Sequence, residues 1–172
     1  MFVVKFGICI GIVVICSILG MKKSKKYEIR EHMLKDFITT FRSLENDIKY
    51  MLTSLPDALE KVRHNLNTNI KDTLGAISVA MMSSESADDM NKKINEEINS
   101  VYELNSYDKE IIYQGLVNLG KSDSETQIGI LEASIVNLSS RLSEATEEKT
   151  KNFKLYRTLG TAIGLMIAIV FI

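Results

Sequence analysis

The side chains that could carry out chemistry are few and widely separated in this sequence. His32 and His64 lie on different predicted helices, and neither is followed by a second histidine at the four-residue spacing of a helical zinc site. Cys9 and Cys16 lie in an apolar segment, where cysteine behaves as a small apolar side chain. No glycine-rich segment is followed by the Lys-Ser/Thr pair of a phosphate-binding loop. The sequence therefore predicts a non-enzymatic protein that uses no metal or other cofactor.

The composition favours a helical chain that is attached to a membrane. The 172 residues include 21 Lys and Arg against 22 Asp and Glu, so the net charge of −1 argues against nucleic-acid binding. Hydrophobic residues make up 45 % of the chain, with a single Pro and no Trp, and so few helix breakers favour an all-α fold. The apolar residues concentrate at the two ends and leave a charge-rich middle.

Residues 1–21 are predicted to form an N-terminal transmembrane helix. The run from Phe6 to Met21 has no charged residue, and a basic cluster follows it: Lys22, Lys23, Lys25, Lys26 and Arg30. The alternative is a cleaved signal peptide. However, a signal peptide carries its positive charges before the apolar run and a small-residue cleavage site after it.

Residues 156–172 are predicted to form a second transmembrane helix. Its uncharged run of 15 residues ends the sequence, and the basic residues just before it are Lys151, Lys154 and Arg157. A core helix that lacks charges is the alternative for a run of this length. Because Lys and Arg in short flanks stay on the cytoplasmic side, residues 22–155 are expected to form a cytoplasmic helical domain between two membrane passes.

Both apolar ends contain glycines four residues apart, at Gly7 and Gly11 and at Gly160 and Gly164. In lipid, this spacing allows two helix backbones to approach closely, so these glycines are candidate positions for membrane helix packing. The other explanation is that Gly is simply frequent in membrane helices. Pairing within one chain and pairing between copies of the chain both stay open.

Two long helices are predicted in the cytoplasmic domain from apolar residues that recur at spacings of three and four. The first stripe consists of Leu34, Phe37, Phe41, Leu44, Ile48, Met51 and Leu55. The polar face opposite it contains Glu31, Lys35, Arg42, Glu45, Asp47 and Lys49. The second stripe consists of Ile128, Leu131, Ile135, Leu138, Leu142 and Ala145. We expect an all-α cytoplasmic helical bundle whose two long helices are antiparallel and continuous with the transmembrane helices.

Shorter helices are predicted between the two long ones. Pro56 ends the first long helix, and Ser54 and Asp57 suit the start of the next. An exposed loop is expected at residues 82–89, where Ser86 is placed to cap a helix.

The last two helix starts are also marked by polar residues. Ser106 is predicted to open a helix that Gly120 stops. Ser122 and Glu125 then match a capping box that would open the last long helix.

Charge differs between two parts of the domain. Residues 22–71 hold 11 Lys and Arg against 7 Asp and Glu, whereas residues 84–148 hold 5 against 14. Anionic lipid headgroups would attract the basic part. The acidic part is either a docking surface for a basic partner or a solvated helical face.

Four segments resemble the stage III sporulation protein AB family. They are Glu45-Asn-Asp-Ile-Lys-Tyr50, Leu55-Pro-Asp-Ala-Leu59, Leu119-Gly-Lys-Ser-Asp123 with Gln127, and Leu155-Tyr-Arg-Thr-Leu-Gly160. The similarity extends over nearly the whole chain, although the family often has Pro where Ser54 stands here. The cytoplasmic domain of that family is similar to the inner-membrane platform protein of type II secretion and type IV pilus machines.

This resemblance implies a non-enzymatic platform or scaffold subunit of a secretion-like channel complex required for endospore formation. Its expected location is the mother-cell membrane around the forespore. Its expected partners are other proteins of the same sporulation operon, among them a cytoplasmic motor ATPase. A membrane-tethered signalling helical bundle is the alternative function, although helix breaks at Pro56 and Gly120 argue against it.

Two of the four segments supply the candidate partner-contact residues: Leu55, Pro56, Asp57, Leu59, Gly120, Ser122, Asp123 and Gln127. Each segment also has a local structural explanation. The first contains a helix break at a proline, and the second contains the end of one helix and the start of another.

Overall fold

The computed structural model describes the backbone of residues 2–50, 53–66, 68 and 70–171. It describes the side chains of that backbone from Lys25 to Leu155, together with those of Thr158, Leu159, Ala162 and Met166. These parts of the chain form helices and no strand, which confirms the predicted all-α class. The helices are α1 (Phe2–Tyr50), α2 (Leu55–Arg63), α3 (Ile70–Ser83), α4 (Ala87–Asn99), α5 (Ser106–Val117) and α6 (Ser124–Phe171).

Two helix starts agree with the sequence prediction. The Ser54 hydroxyl accepts a hydrogen bond from the Asp57 backbone N–H at 3.4 Å, and Pro56 lies in the first turn of α2. The Ser86 hydroxyl accepts one from the Asp89 N–H at 3.1 Å and caps α4. The loop before α4 is shorter than predicted, because α3 continues through Ser83.

Two other helix starts differ from the prediction by one residue. The cap of α5 is Asn105, which exchanges reciprocal hydrogen bonds with Asp108 in a capping box. The cap of α6 is Asp123, whose Oδ1 accepts the Thr126 N–H at 3.0 Å, so the predicted pairing of Ser122 with Glu125 is wrong. In both cases a side chain next to the predicted serine accepts the N–H that the cap must satisfy.

The chain divides into two compact units. One consists of residues 1–29 and 144–172, and the other consists of residues 30–143. Both predicted membrane segments fall in the first unit, and Gly7, Gly11, Gly160 and Gly164 lie outside the residues whose side chains are described. Within the described residues, no helix has an apolar stretch long enough to cross a membrane.

The core of the 30–143 unit is built mainly from the apolar stripes that the spacing predicts. Leu34, Phe37, Phe41 and Leu44 of α1 are fully buried. Leu131 and Leu138 of α6 are fully buried as well. The shorter helices contribute eight more large, fully buried side chains: Leu59, Ile70, Leu74, Ile77, Ile94, Ile98, Ile112 and Leu116. Removal of this apolar surface from water is the main favourable term in the folding of such a bundle.

Three charged residues of α1 are buried where the sequence predicts exposure. Glu31 and Asp47, both predicted on the polar face, are 6 % and 4 % exposed, and Arg30 is 5 % exposed although it was grouped with the basic membrane flank. The physical reason is that other parts of the 30–143 unit cover more of the α1 surface than its single apolar stripe. A heptad pattern indicates only the stripe.

A buried ion network connects α1, α5 and α6 inside this unit. The Asp108 side chain is fully buried and accepts hydrogen bonds from Arg30 Nε at 2.8 Å and Arg30 Nη2 at 3.1 Å. Arg141 Nε adds a third at 3.3 Å, and its guanidinium lies 5.6 Å from the centre of the Tyr107 ring. The Asn105 backbone N–H also donates to Asp108, at 3.2 Å. Both oxygens of this carboxylate therefore have partners.

Gly115 permits a close approach of α5 to α1 and α6. A Cβ atom at this position would lie 2.7 Å from the Phe41 ring and 3.0 Å from the Ser134 hydroxyl oxygen. These distances are too short for ordinary contact, so the packing requires glycine here. The sequence gives no indication of this role, because it depends on side chains that are distant along the chain.

Candidate functional site

A groove in the 30–143 unit brings together residues from both candidate contact segments. We call it the Asp47 groove. It has a volume of about 330 Å³ and is lined by Leu44, Asp47, Ile48, Thr53, Leu55, Ala58, Gly120, Ser124 and Gln127. Leu55 belongs to the first candidate segment, and Gly120 and Gln127 belong to the second. The fold therefore places two segments that are more than sixty residues apart around one concave surface.

Four elements meet at the groove. The last turns of α1 contribute Leu44 and Ile48, and the start of α2 contributes Leu55 and Ala58, which gives the groove apolar sides. The loop before α6 and the first turn of α6 complete it. The groove lies at the low end of the size range of ligand pockets, about 300–1,000 Å³.

Asp47 is the one ionisable residue among the described residues that line the groove. Its side chain is 6 % exposed, and its Oδ2 atom has no hydrogen-bond partner among the residues that the structure describes. Its Oδ1 atom lies 3.8 Å from Lys61 Nζ, on a side chain that is 62 % exposed. This distance exceeds that of a hydrogen bond, about 2.7–3.2 Å for N–H···O. Asp47 is therefore a buried carboxylate with an incomplete set of partners.

The structure separates the residues of the first candidate segment. Leu55 is half-buried and lines the groove. The Pro56 carbonyl accepts a hydrogen bond from the Ser78 hydroxyl at 3.0 Å, and exposed Asp57 takes part in the α2 cap. Leu59 is fully buried in the core. In this fold its side chain is part of the packed core, and a partner contact by Leu59 stays a prediction.

In the second candidate segment, Gln127 holds the loop before α6 in place. Its Oε1 accepts the Gly120 N–H at 3.0 Å, and its Nε2 donates to the Ser122 carbonyl at 2.6 Å. Gly120 has a φ of 79°, in the left-handed region where glycine is favoured. These residues consequently shape one side of the groove, and Ser122 itself is exposed.

Asp123 is exposed beside this loop and is committed to its own helix. Its Oδ1 accepts the Thr126 backbone N–H, and its Oδ2 accepts the Thr126 hydroxyl at 2.9 Å. These hydrogen bonds favour the ionised form and lower the pKa of the Asp123 carboxyl from its usual value. Asp123 therefore caps α6 through the Thr126 N–H.

The arrangement is suited to binding and lacks the parts of an acid–base or nucleophilic site. Such chemistry needs a nucleophile or acid together with a second group that activates it, whereas the described lining of the groove has a single ionisable side chain. Both histidines are exposed and lie outside it. Among the side chains that the structure describes, no group of three or more His, Cys, Asp and Glu could hold a metal ion.

Asp47 is the functional candidate that sequence reasoning missed. It lies within one of the four motif segments, but its helical position placed it with the solvated charges of α1. The available signal was its place two residues after Glu45, between the apolar residues Leu44 and Ile48. That signal alone does not separate a buried carboxylate from an exposed one.

Comparison with known proteins agrees with the resemblance found in the sequence. Residues 5–172 match the family Stage III sporulation protein AB. The protein of that name from Bacillus subtilis (strain 168) is 24 % identical over 157 residues, which cover 91 % of this chain and 92 % of the relative. No solved structure matches significantly. Since the family match covers nearly the whole sequence, this chain belongs to the stage III sporulation protein AB family.

Proposed function

We propose that this sporulation protein is a non-enzymatic platform subunit of a secretion-like complex and that it docks a cytoplasmic motor ATPase. The observation that carries the proposal is the convergence of the two candidate segments on the Asp47 groove, with Leu55 on one side and Gly120 and Gln127 on the other. A concave surface with apolar sides and one carboxylate is suited to recognising a protein segment. Its lining lacks the paired groups that a catalytic mechanism requires.

The proposed location is the mother-cell membrane around the forespore, with the 30–143 unit in the cytoplasm. Support for this location comes from the family and from the apolar ends of the sequence with their basic flanks. In a two-pass arrangement the chain would stay attached to the membrane, where a motor ATPase could act on other subunits of the complex. Such a platform positions the motor and supplies no energy itself.

The test is chemical cross-linking in sporulating cells that carry a tagged copy of the full chain, followed by extraction in detergent and identification of the captured proteins. We expect the motor ATPase of the same operon among them. A Leu55→Ser variant should reduce its recovery, because the substitution removes an apolar contact at the groove. Tyr102→Ser is the matched control, since Tyr102 is 84 % exposed and does not line the groove.

Two results would contradict the proposal. One is recovery of unrelated proteins without the ATPase from cells in which the tagged chain supports sporulation. The other is labelling of single cysteines within residues 30–143 from the side of the membrane opposite the cytoplasm.

A further inference from the structure

The incomplete set of partners around Asp47 indicates that the groove takes a cationic group. Within the described part of the chain, Oδ2 has no hydrogen-bond partner, and the nearest cation to Oδ1 is Lys61 Nζ at 3.8 Å. Transfer of a carboxylate out of water without a partner is unfavourable, and a buried charge is ordinarily paired. A cation that enters the groove would restore this pairing.

The neighbouring helix starts do not supply the missing donors. In α2 the Asp57 N–H donates to the Ser54 cap, and in α6 the Thr126 N–H donates to the Asp123 cap. None of the described N–H groups at either helix start donates to Asp47 Oδ2. Asp47 also lies in the last turns of α1, where the helix dipole disfavours a negative charge. The local backbone therefore leaves the carboxylate dependent on a donor from outside.

The lining of the groove specifies the kind of cation. Ile48 and Leu55, which are both half-buried, form apolar sides that suit a hydrocarbon stem, while Asp47 offers a charged acceptor. The hydroxyl oxygens of Thr53 and Ser124 are additional acceptors in the lining. A guanidinium group carries five N–H donors in a planar fork and is more weakly hydrated than an ammonium group, so it matches several acceptors in a confined space.

We propose that the Asp47 groove binds an arginine side chain of a partner protein, with the guanidinium group on Asp47 Oδ2 and the aliphatic stem between the apolar sides. The inference rests on the proposed function for the identity of the partner, whereas the site itself rests on the geometry of Asp47.

The experiment titrates the isotopically labelled full chain, in mild detergent, with the capped tripeptide acetyl-Leu-Arg-Leu-amide. The matched probe is the same peptide with citrulline, which has nearly the shape of arginine but no charge. We expect saturable shifts of the Gly120 and Thr53 amide signals and at least about tenfold tighter binding of the arginine peptide, as for a desolvated charge pair. Asp47→Asn should abolish this preference, and Glu45→Gln should retain it.

Glu45→Gln is a suitable control because it removes an equal charge from the same helix and does not line the groove. Equal binding of the two peptides to the unmodified chain would overturn the proposal, and this comparison requires no variant to fold. A third probe is acetyl-Leu-Lys-Leu-amide. Tighter binding of this lysine peptide than of the arginine peptide would also overturn the proposal, as would saturation of the same shifts by Mg²⁺ with displacement of the arginine peptide.

The outcome is separable from that of the proposed function. An arginine preference without recovery of the ATPase from cells would leave the site intact and remove the proposed partner. Undiminished recovery of the ATPase by Asp47→Asn, with no arginine preference, would leave the platform role intact and remove the site.

Discussion

Two buried aspartates in the 30–143 unit have opposite surroundings. Asp108 is fully buried and accepts hydrogen bonds from Arg30, Arg141 and the Asn105 backbone, so both of its oxygens have partners. Asp47 is almost as buried, yet its Oδ2 has no hydrogen-bond partner in the described part of the chain, and its Oδ1 is 3.8 Å from the ammonium group of the largely exposed Lys61.

The difference separates an architectural carboxylate from one available for binding. Around Asp108 the chain supplies two guanidinium groups, which connect α1, α5 and α6 in a closed network. Around Asp47 the chain supplies an open groove with apolar sides. The same residue type thus stabilises the fold in one place and leaves a binding requirement unmet in the other. Removal of the Asp108 carboxylate should lower the free energy of unfolding, whereas removal of the Asp47 carboxylate should raise it slightly.

The largest effect is expected for Asp108→Asn. The substitution removes the negative charge to which Arg30 and Arg141 are bonded, and it should lower the free energy of unfolding by about 3–5 kcal/mol. The measurement is urea unfolding of the full chain in mild detergent, monitored by the circular dichroism signal of its helices. Asp88→Asn is a control on the exposed first turn of α4. A loss below about 0.5 kcal/mol, the usual range of surface substitutions, would contradict the architectural role.

The tight packing of α5 is tested by Gly115→Ala. The added methyl group would meet the Phe41 ring at 2.7 Å, so the free energy of unfolding should fall by about 1–3 kcal/mol. Gly129→Ala is the matched control, because nothing lies within 4 Å of a Cβ there. Higher helix propensity should make that control up to about 1 kcal/mol more stable. Equal stability of the two variants would show that α5 is not closely packed.

Asp47→Asn should change the free energy of unfolding little, within about 1 kcal/mol, and in the stabilising direction. A neutral amide costs less to bury than a carboxylate with an unpartnered oxygen. The same urea unfolding measurement compares it with Asp108→Asn, which is an identical chemical change. A loss of several kcal/mol at Asp47 would mean that its contact with Lys61 already satisfies the carboxylate, and the contrast between the two sites would disappear.

The smallest change in the free energy of unfolding is expected for Asp123→Ala, at an exposed position near the groove. The Thr126 hydrogen bonds lower the pKa of Asp123 in the folded chain, so its stabilising contribution is present at neutral pH. That contribution is lost as the pH falls below 3.8, the usual value for an aspartate, and through the lower folded value. The urea concentrations at which the unmodified chain and Asp123→Ala are half unfolded should therefore differ less at acidic pH than at neutral pH. A difference that stayed constant from neutral pH to about pH 2 would argue against the ionised cap.

The sequence predicted the helices well because their signals are local. Apolar spacing identified the stripe of α1, and Ser54, Pro56 and Ser86 marked helix starts that the structure confirms. The caps of α5 and α6 were displaced by one residue, since serine and its acidic or amide neighbours compete for the same N–H. A local pattern predicts a helix start accurately where the residues of a single turn determine it.

The features that sequence reasoning missed all depend on residues distant in the chain. Arg30 and Asp108 are 78 positions apart, and neither has a local sign of pairing. The role of Gly115 requires the Phe41 ring on another helix. Asp47 was assigned to a solvated face because a single apolar stripe was assumed to be the whole buried surface of α1. Leu55 on one side of the groove and Gly120 and Gln127 on the other are predicted contact residues, but only the fold brings them together.

The most direct test of the account compares Asp47→Asn with the unmodified chain in sporulating cells, at equal abundance of the tagged protein. Cross-linked motor ATPase is the quantity measured. We expect the variant to accumulate normally and to lose most of the cross-linked ATPase, while Glu45→Gln retains it. Full recovery of the ATPase by Asp47→Asn would contradict the claim that the groove is where this platform binds its partner.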